Sequence, residues 1–190
     1  MMYKALVIGT SLGGLEALKA IIPLLPKDFP LAVIVVLHIG DNQNDSFIRY
    51  LNDISQLFVK EAEEKESISP GTVYFAPPNY HLLIENDKTF ALSTDAKINH
   101  SRPAIDVLFE TAAWYYRQDL IGVVLSGLNQ DGAYGLLQIN DLGGICIVQD
   151  PENAIARIMP SEAYKIAKPQ FIVPLHQIAD KIIELVQSQH

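Results

Sequence analysis

Short apolar runs alternate along the chain with stretches whose apolar residues recur every three to four positions, the pattern of buried strands interleaved with amphipathic helices. Residues 5–8 form the first run, bounded by Gly9, and residues 15–25 follow at helical spacing and stop at Pro26. Residues 31–37 are apolar throughout and rich in β-branched side chains, as expected of a parallel strand covered on both faces. That run exits at His38. The pattern predicts a helix over 46–54 capped by Ser46, then a short strand over 57–59. Three further short strands are predicted over 72–76, 80–85 and 89–93, the last two joined around Asn86-Asp87-Lys88 as an antiparallel hairpin. Helical spacing returns over 103–116, with Pro103 suited to the first turn, and a buried strand follows over 120–125. The remainder predicts a helix over 132–142, a strand over 144–148, a helix over 161–167, a strand over 171–173 and a closing helix over 175–186.

This alternation argues for a three-layer α/β/α sandwich with a mainly parallel, Rossmann-like sheet and a small antiparallel hairpin laid on it. At 190 residues, with no repeat, low-complexity tract or linker, the chain is expected to form one domain over 1–190. Hydrophobic residues at 49% and charged residues at 19% fit a globular core. Fourteen Lys and Arg against 22 Asp and Glu give a net charge of -8 with no basic stripe, which argues against a nucleic-acid partner. The single cysteine, Cys146, lies in an apolar run and is expected to be a buried core thiol. No leader-like segment precedes the first strand and no apolar run is long enough to span a bilayer, so a cytoplasmic protein without membrane insertion is expected.

In open parallel sheets ligands bind beyond the carboxyl ends of the strands, which selects the residues that follow each run. Ser11 follows the first, in Gly9-Thr10-Ser11-Leu12-Gly13-Gly14; His38 follows the second; Asp131 follows the strand over 120–125. A serine hydroxyl needs an imidazole to accept its proton, and the imidazole needs an acid to fix its tautomer. The glycines permit a tight strand-to-helix turn, and the Leu12 N–H is the first candidate for an oxyanion donor. Each residue also has a structural explanation: Ser11 as a helix cap, His38 as a satisfied buried histidine, Asp131 as the cap of the next helix. Arg102 is read as a solvated cation or as a group that holds a carboxylate or phosphate. His81, His100, His176 and His190 lack metal-ligand spacing; neither a metal nor a cofactor is expected.

With these residues in view, the chain resembles the catalytic domain of the CheB family of protein-glutamate methylesterases along nearly its whole length. The resemblance rests on the serine turn, on Val36-Leu37-His38, on Gly71-Thr-Val-Tyr-Phe-Ala-Pro77 with His81-Leu82, on Arg102-Pro-Ala-Ile-Asp-Val-Leu-Phe109 and on Gly122-Val-Val-Leu-Ser-Gly-Leu-Asn-Gln-Asp-Gly-Ala133. Gly143-Gly144, Gln149-Asp150 and Met159-Pro160 continue it in order. It implies a hydrolase with Ser11 as nucleophile, His38 as base and then acid, and Asp131 as orienting carboxylate. The implied substrates are glutamyl methyl esters of chemotaxis receptors, with deamidation of receptor glutamines as a second activity. Leu12, Leu128, Asn129 and Arg102 are the implied oxyanion and substrate-binding positions.

Leu12 stands where the family usually has threonine, and Leu128-Asn129 where it has Met-Gly; asparagine adopts a left-handed backbone more readily than most residues. Family members usually carry a receiver domain before the catalytic domain, whereas here the catalytic pattern starts at residue 1. The expectation is a stand-alone domain, either constitutively active or controlled by a partner. Two other classes are carried forward. A nucleotide-binding module fits the first turn less well, because Ser11 replaces a glycine of Gly-x-Gly-x-x-Gly and the second strand ends in histidine rather than an acid. A catalytically silent scaffold that binds chemosensory partners is the second.

Overall fold

The computed structural model describes residues 3–38 and 44–188; the two starting methionines, residues 39–43 and residues 189–190 lie outside that range. Strands β1 (Ala5–Thr10), β2 (Ala32–Leu37), β3 (Phe58–Glu61), β4 (Thr72–Phe75), β7 (Leu120–Val124), β8 (Ile145–Gln149) and β9 (Phe171–Val173) make one parallel sheet. Its order is β3-β4-β2-β1-β7-β8-β9. Strands β5 (His81–Ile84) and β6 (Phe90–Ser93) form the separate antiparallel hairpin.

The near-continuous apolar strands are explained by what covers them. Helices α3 (Ile105–Tyr116), α4 (Ala133–Asp141) and α5 (Ile158–Ala167) lie with the hairpin on one face, over Ala5, Val7, Ile34, Val36 and Val148. Helices α1 (Gly14–Ile21), α2 (Asn44–Ile54) and α6 (Leu175–Gln187) cover the other face, over Leu6, Ile8, Val33, Val35 and Val123. Alternate side chains of one strand therefore enter two separate cores, and the polar residues buried on the strands, Thr10 and Gln149, sit at C-terminal strand ends with hydrogen-bond partners. Cys146 is buried as expected; its thiol is pushed up to about 12, chiefly by burial, and donates to Leu136 O.

Several boundaries differ from expectation for local reasons. The first helix ends at Ile21, and residues 22–24 form a 3₁₀ turn, because Pro23 has no N–H to continue the α-helical ladder. Ser46 is not a cap; Asn44 already lies in α2, which leaves Ser46 inside its first turn. Pro103 precedes α3 rather than opening it, since Ala104 is extended (φ −105°, ψ 139°) and occupies the cap position. Helix α5 starts at Ile158, earlier than predicted, with Pro160 in the first turn where its missing N–H costs nothing.

Candidate active site

The sheet reverses direction of growth at β1, with β2 on one side and β7 on the other, so the C-terminal ends of these three strands border one crevice. Thr10 pairs with Leu37 in register, and the next residues are Ser11 and His38. His38 N donates to Thr10 O at 3.0 Å and Ser11 N donates to Ser126 O, just past β7, at 2.9 Å. Serine and histidine thus leave neighbouring strands, whose spacing is about 4.8 Å, side by side.

The serine turn depends on two glycines. Gly13 adopts φ 86°, a left-handed conformation, and a Cβ there would lie 2.7 Å from Ser126 Oγ and 2.9 Å from Ile155 Cβ. A Cβ on Gly14 would lie 2.6 Å from Thr10 Cγ2 and 2.7 Å from Leu37 Cδ1. Behind the turn sits Ser126, buried, which donates to Leu12 O at 2.7 Å and accepts from Ala156 N at 2.8 Å, while its N–H donates to Gln149 Oε1 at 3.0 Å. Sequence reasoning missed this role, because a serine after a strand carries no motif of its own.

Asp131 is fully buried, with Oδ2 3.0 Å from His38 Nε2. The pair is within hydrogen-bond distance but out of line with the N–H direction, which leaves Nε2 without an aligned partner among the described residues. The alternative reading of Asp131 as a cap of its own helix is wrong: its carboxylate takes no α4 amide, and Gly132 at the cap position of α4 is left-handed at φ 93°. Instead the carboxylate accepts from the start of a different helix, Ile105 N at 2.7 Å and Asp106 N at 3.1 Å, and from Asn99 Nδ2 at 3.1 Å. Burial alone would raise its pKa; the His38 contact and the two α3 amides outweigh it and hold the carboxyl below its ordinary value.

Asp106 returns the arrangement. Its Oδ1 accepts from Gly132 N at 3.0 Å and Gly135 N at 2.7 Å, at the start of α4, and its Oδ2 accepts from Asn99 Nδ2 at 2.9 Å. Each helix is therefore capped by the acid that belongs to the other. Asn99 bridges the two acids from a tight turn in which Ile98 and Ser101 exchange backbone hydrogen bonds, with Asn99 at φ 50° and His100 at φ 65°. Neither Asn99 nor Asp106 was singled out from the sequence. The turn lacks the glycine that usually marks it, and Asp106 reads as an ordinary first-turn acid.

The remaining predicted positions divide. Leu12 follows Ser11 with 52% of its surface exposed, and Leu128 is exposed (56%) in the loop between β7 and Asp131. Asn129 is not among the left-handed residues; its Oδ1 accepts from Asp131 N at 3.1 Å, so it holds the acid loop by a side-chain turn rather than by glycine-like backbone. Arg102 lines a cavity of about 440 Å³ together with His38, Lys97 and His100. Its Nη1 is held by Thr94 O at 2.6 Å and Asp95 O at 3.0 Å. His81 lies elsewhere, its Nδ1 accepting from Ala104 N at 3.1 Å and its Nε2 3.0 Å from Ala96 O, a structural tie between the hairpin and α3.

A parallel sheet whose switch point gathers a serine turn, a histidine and a buried carboxylate defines an α/β domain with the residue set of a serine hydrolase. The comparisons give the particular family. The model of the CheB methylesterase family matches residues 6–182, and the chain belongs to that family. A protein of Leptospira interrogans is 48% identical over 188 residues, 99% of this chain and 97% of its own length. Proteins named protein-glutamate methylesterase/protein-glutamine glutaminase in Syntrophus aciditrophicus and Thermotoga maritima are 39% identical over 186 residues; this chain spans 54% of each. The crystal structure of the Thermotoga maritima CheB methylesterase catalytic domain superposes with a TM-score of 0.93 at 38% identity, covering 98% of this chain and all of that one.

Proposed function

We propose that this chain is a serine hydrolase that cleaves glutamyl methyl esters on chemosensory receptor proteins and deamidates glutamines there, using Ser11, His38 and Asp131. The observation that carries the reading is the buried Asp131 carboxylate 3.0 Å from His38 Nε2, with Ser11 one strand away. Membership of the family supports the ester as substrate. In this reading residues 1–190 act as one catalytic unit in the cytoplasm; among the described residues no helix is long and apolar enough to cross a membrane.

Because Nε2 faces the acid, Nδ1 is the nitrogen left to receive the Ser11 proton, the reverse of the usual assignment in serine proteases. Ser11 Oγ attacks the ester carbonyl as Nδ1 takes its proton. The ionised Asp131 stabilises the imidazolium, and a small ring rotation aligns the Nε2–H with Oδ2. The tetrahedral oxyanion is placed at the turn before α1, with the Leu12 N–H as its donor, since the first amides of a helix lack intrahelical acceptors. Collapse expels methoxide, which takes the proton from Nδ1 and leaves as methanol. Water, deprotonated by Nδ1, then attacks the acyl-serine; Nδ1 returns that proton to Ser11 Oγ as it leaves, and the glutamic acid formed ionises to its carboxylate. For glutamine the leaving group is ammonia by the same steps. Arg102, beside His38 in the cavity, faces the polypeptide that flanks the reacting side chain and attracts its carboxylates.

Methyl release from methylated receptor fragments by wild type and Ser11→Ala tests this. Ser11→Ala is expected to fall to background with an unchanged circular dichroism spectrum; turnover within a few fold of wild type would overturn it. Labelling of Ser11 by a fluorophosphonate probe separates the enzyme from a silent scaffold.

A further inference from the structure

The two buried acids are built as one unit, and only one of them touches the histidine. Asp106 lies in α3 and holds the Gly132 and Gly135 amides, which flank and follow Asp131; Asp131 in turn holds the Ile105 and Asp106 amides. The single nitrogen of Asn99 reaches both carboxyl groups, at 3.1 Å and 2.9 Å. Close approach of the two helices makes this possible: a Cβ on Gly135 would lie 2.5 Å from Phe109 Cβ and 3.1 Å from the Asp106 backbone. Ile105, fully buried, wedges the α3 start against the strand end, since a Cβ on Gly9 would lie 2.3 Å from its Cγ2. The acid that faces His38 therefore cannot shift without disturbing Asp106.

We infer that Asp106 is a positioning residue for the reaction, fixing Asp131 against His38 and tuning the proton affinity of that histidine through its own charge. The inference rests on the triad reading. The groups facing Asp106 are Asn99 from the 98–101 turn, the Gly132 and Gly135 amides from the start of α4, and the Asp131 carboxylate, behind which stands His38 at the end of β2. Burial first, and then repulsion from Asp131, raise the Asp106 carboxyl to about 6 against the pull of the Gly135 amide. Its charge thus appears in the range where an imidazole titrates. Once ionised, Asp106 adds a second negative charge behind the Asp131 carboxylate and makes His38 harder to deprotonate; while protonated it does not.

The test is Asp106→Asn, which keeps an acceptor oxygen of the same size and removes the charge. His38 ring resonances are titrated by NMR in the Ser11→Ala background, with and without Asp106→Asn. The His38 midpoint is expected to fall by about one pH unit in the variant, the scale of a unit charge acting over several ångströms at an effective dielectric near 20. With Ser11 restored, the acid limb of kcat/KM should move down equally, and kcat should fall about ten-fold with KM little changed, because a displaced base affects the transition state. Superimposable His38 titrations would overturn the inference and leave Asp106 a helix cap. Should Asp106→Asn not fold, carboxyl-carbon titration of the wild-type chain decides: a midpoint near 6 echoed at the His38 ring supports the coupling, and a midpoint below 4 without an echo refutes it. These titrations hold whatever Ser11 does. Failure of the triad reading would appear separately, as unimpaired methyl release by Ser11→Ala.

Discussion

Asp131 and Asp106 share one amide side chain and a buried setting, yet their carboxyl groups move in opposite directions. Asp131 is held below its ordinary value and Asp106 is raised to about 6. Their effects on stability therefore oppose. In the unfolded chain an aspartate loses its proton near pH 4, roughly its model value. Native Asp106 keeps its proton to about pH 6, so between those values the native state binds more protons and stability falls as pH rises. Asp131 contributes stability that is present above its unfolded pKa and lost as pH drops through its lower folded value. Asp106→Asn removes the first effect, together with the acceptor that Asn99 Nδ2 uses, a loss that does not vary with pH. The melting temperature of wild type relative to this variant should fall by a few degrees between pH 4 and pH 7, on the usual scale of a few °C per kcal/mol. A difference independent of pH would contradict the assignment. A variant more stable but less active at neutral pH is the expected signature of a residue kept for function.

At the scale of elements, the serine turn is a strand–turn–helix unit whose backbone path excludes side chains. Gly13→Ala must place a methyl group at φ 86° and within 3 Å of Ser126 and Ile155, so a loss of roughly 1–3 kcal/mol is expected, measurable by urea unfolding. Ser126→Ala leaves the Ala156 N–H and the Leu12 carbonyl without their buried partner. It should cost about 1–3 kcal/mol and lower activity without touching any reacting group. The elements themselves were largely legible in the sequence, because strands buried on both faces must be continuously apolar and helices on a sheet must be amphipathic. That Ser11, His38 and Asp131 would be gathered at one edge was legible for a related reason: they follow the C-terminal ends of neighbouring strands. What the pattern could not show is which distant backbone a polar side chain caps. Asp131 was open as the cap of its own helix and is bonded to α3, 26 residues away in sequence from Ile105. Asn129, a residue type that adopts the left-handed backbone readily, does not adopt it here and holds the loop through its side chain. Helix ends depended on single proline and cap conformations, which periodicity does not encode.

For the molecule as a whole, a net charge of -8 surrounds a cavity that carries Lys97 and Arg102 beside His38. On an acidic peptide ester, long-range repulsion and local attraction would act together, and salt screens the first more than the second. Of two peptide methyl esters differing only in flanking charge, the acidic one should gain in relative kcat/KM as ionic strength rises from about 0.01 to 0.1 M, where the screening length falls from roughly 30 to 10 Å. Arg102→Gln should raise KM for the acidic peptide more than for the neutral one; equal changes would remove Arg102 from substrate recognition.

The exchanged capping of α3 and α4 has a bearing on any attempt to rebuild this arrangement elsewhere. A serine, a histidine and an aspartate copied onto the strand ends of another parallel sheet would reproduce the named trio and omit what holds its acid in place. The smallest transplantable piece is the knot of two helix starts, the 98–101 turn and both aspartates, which can only be moved together.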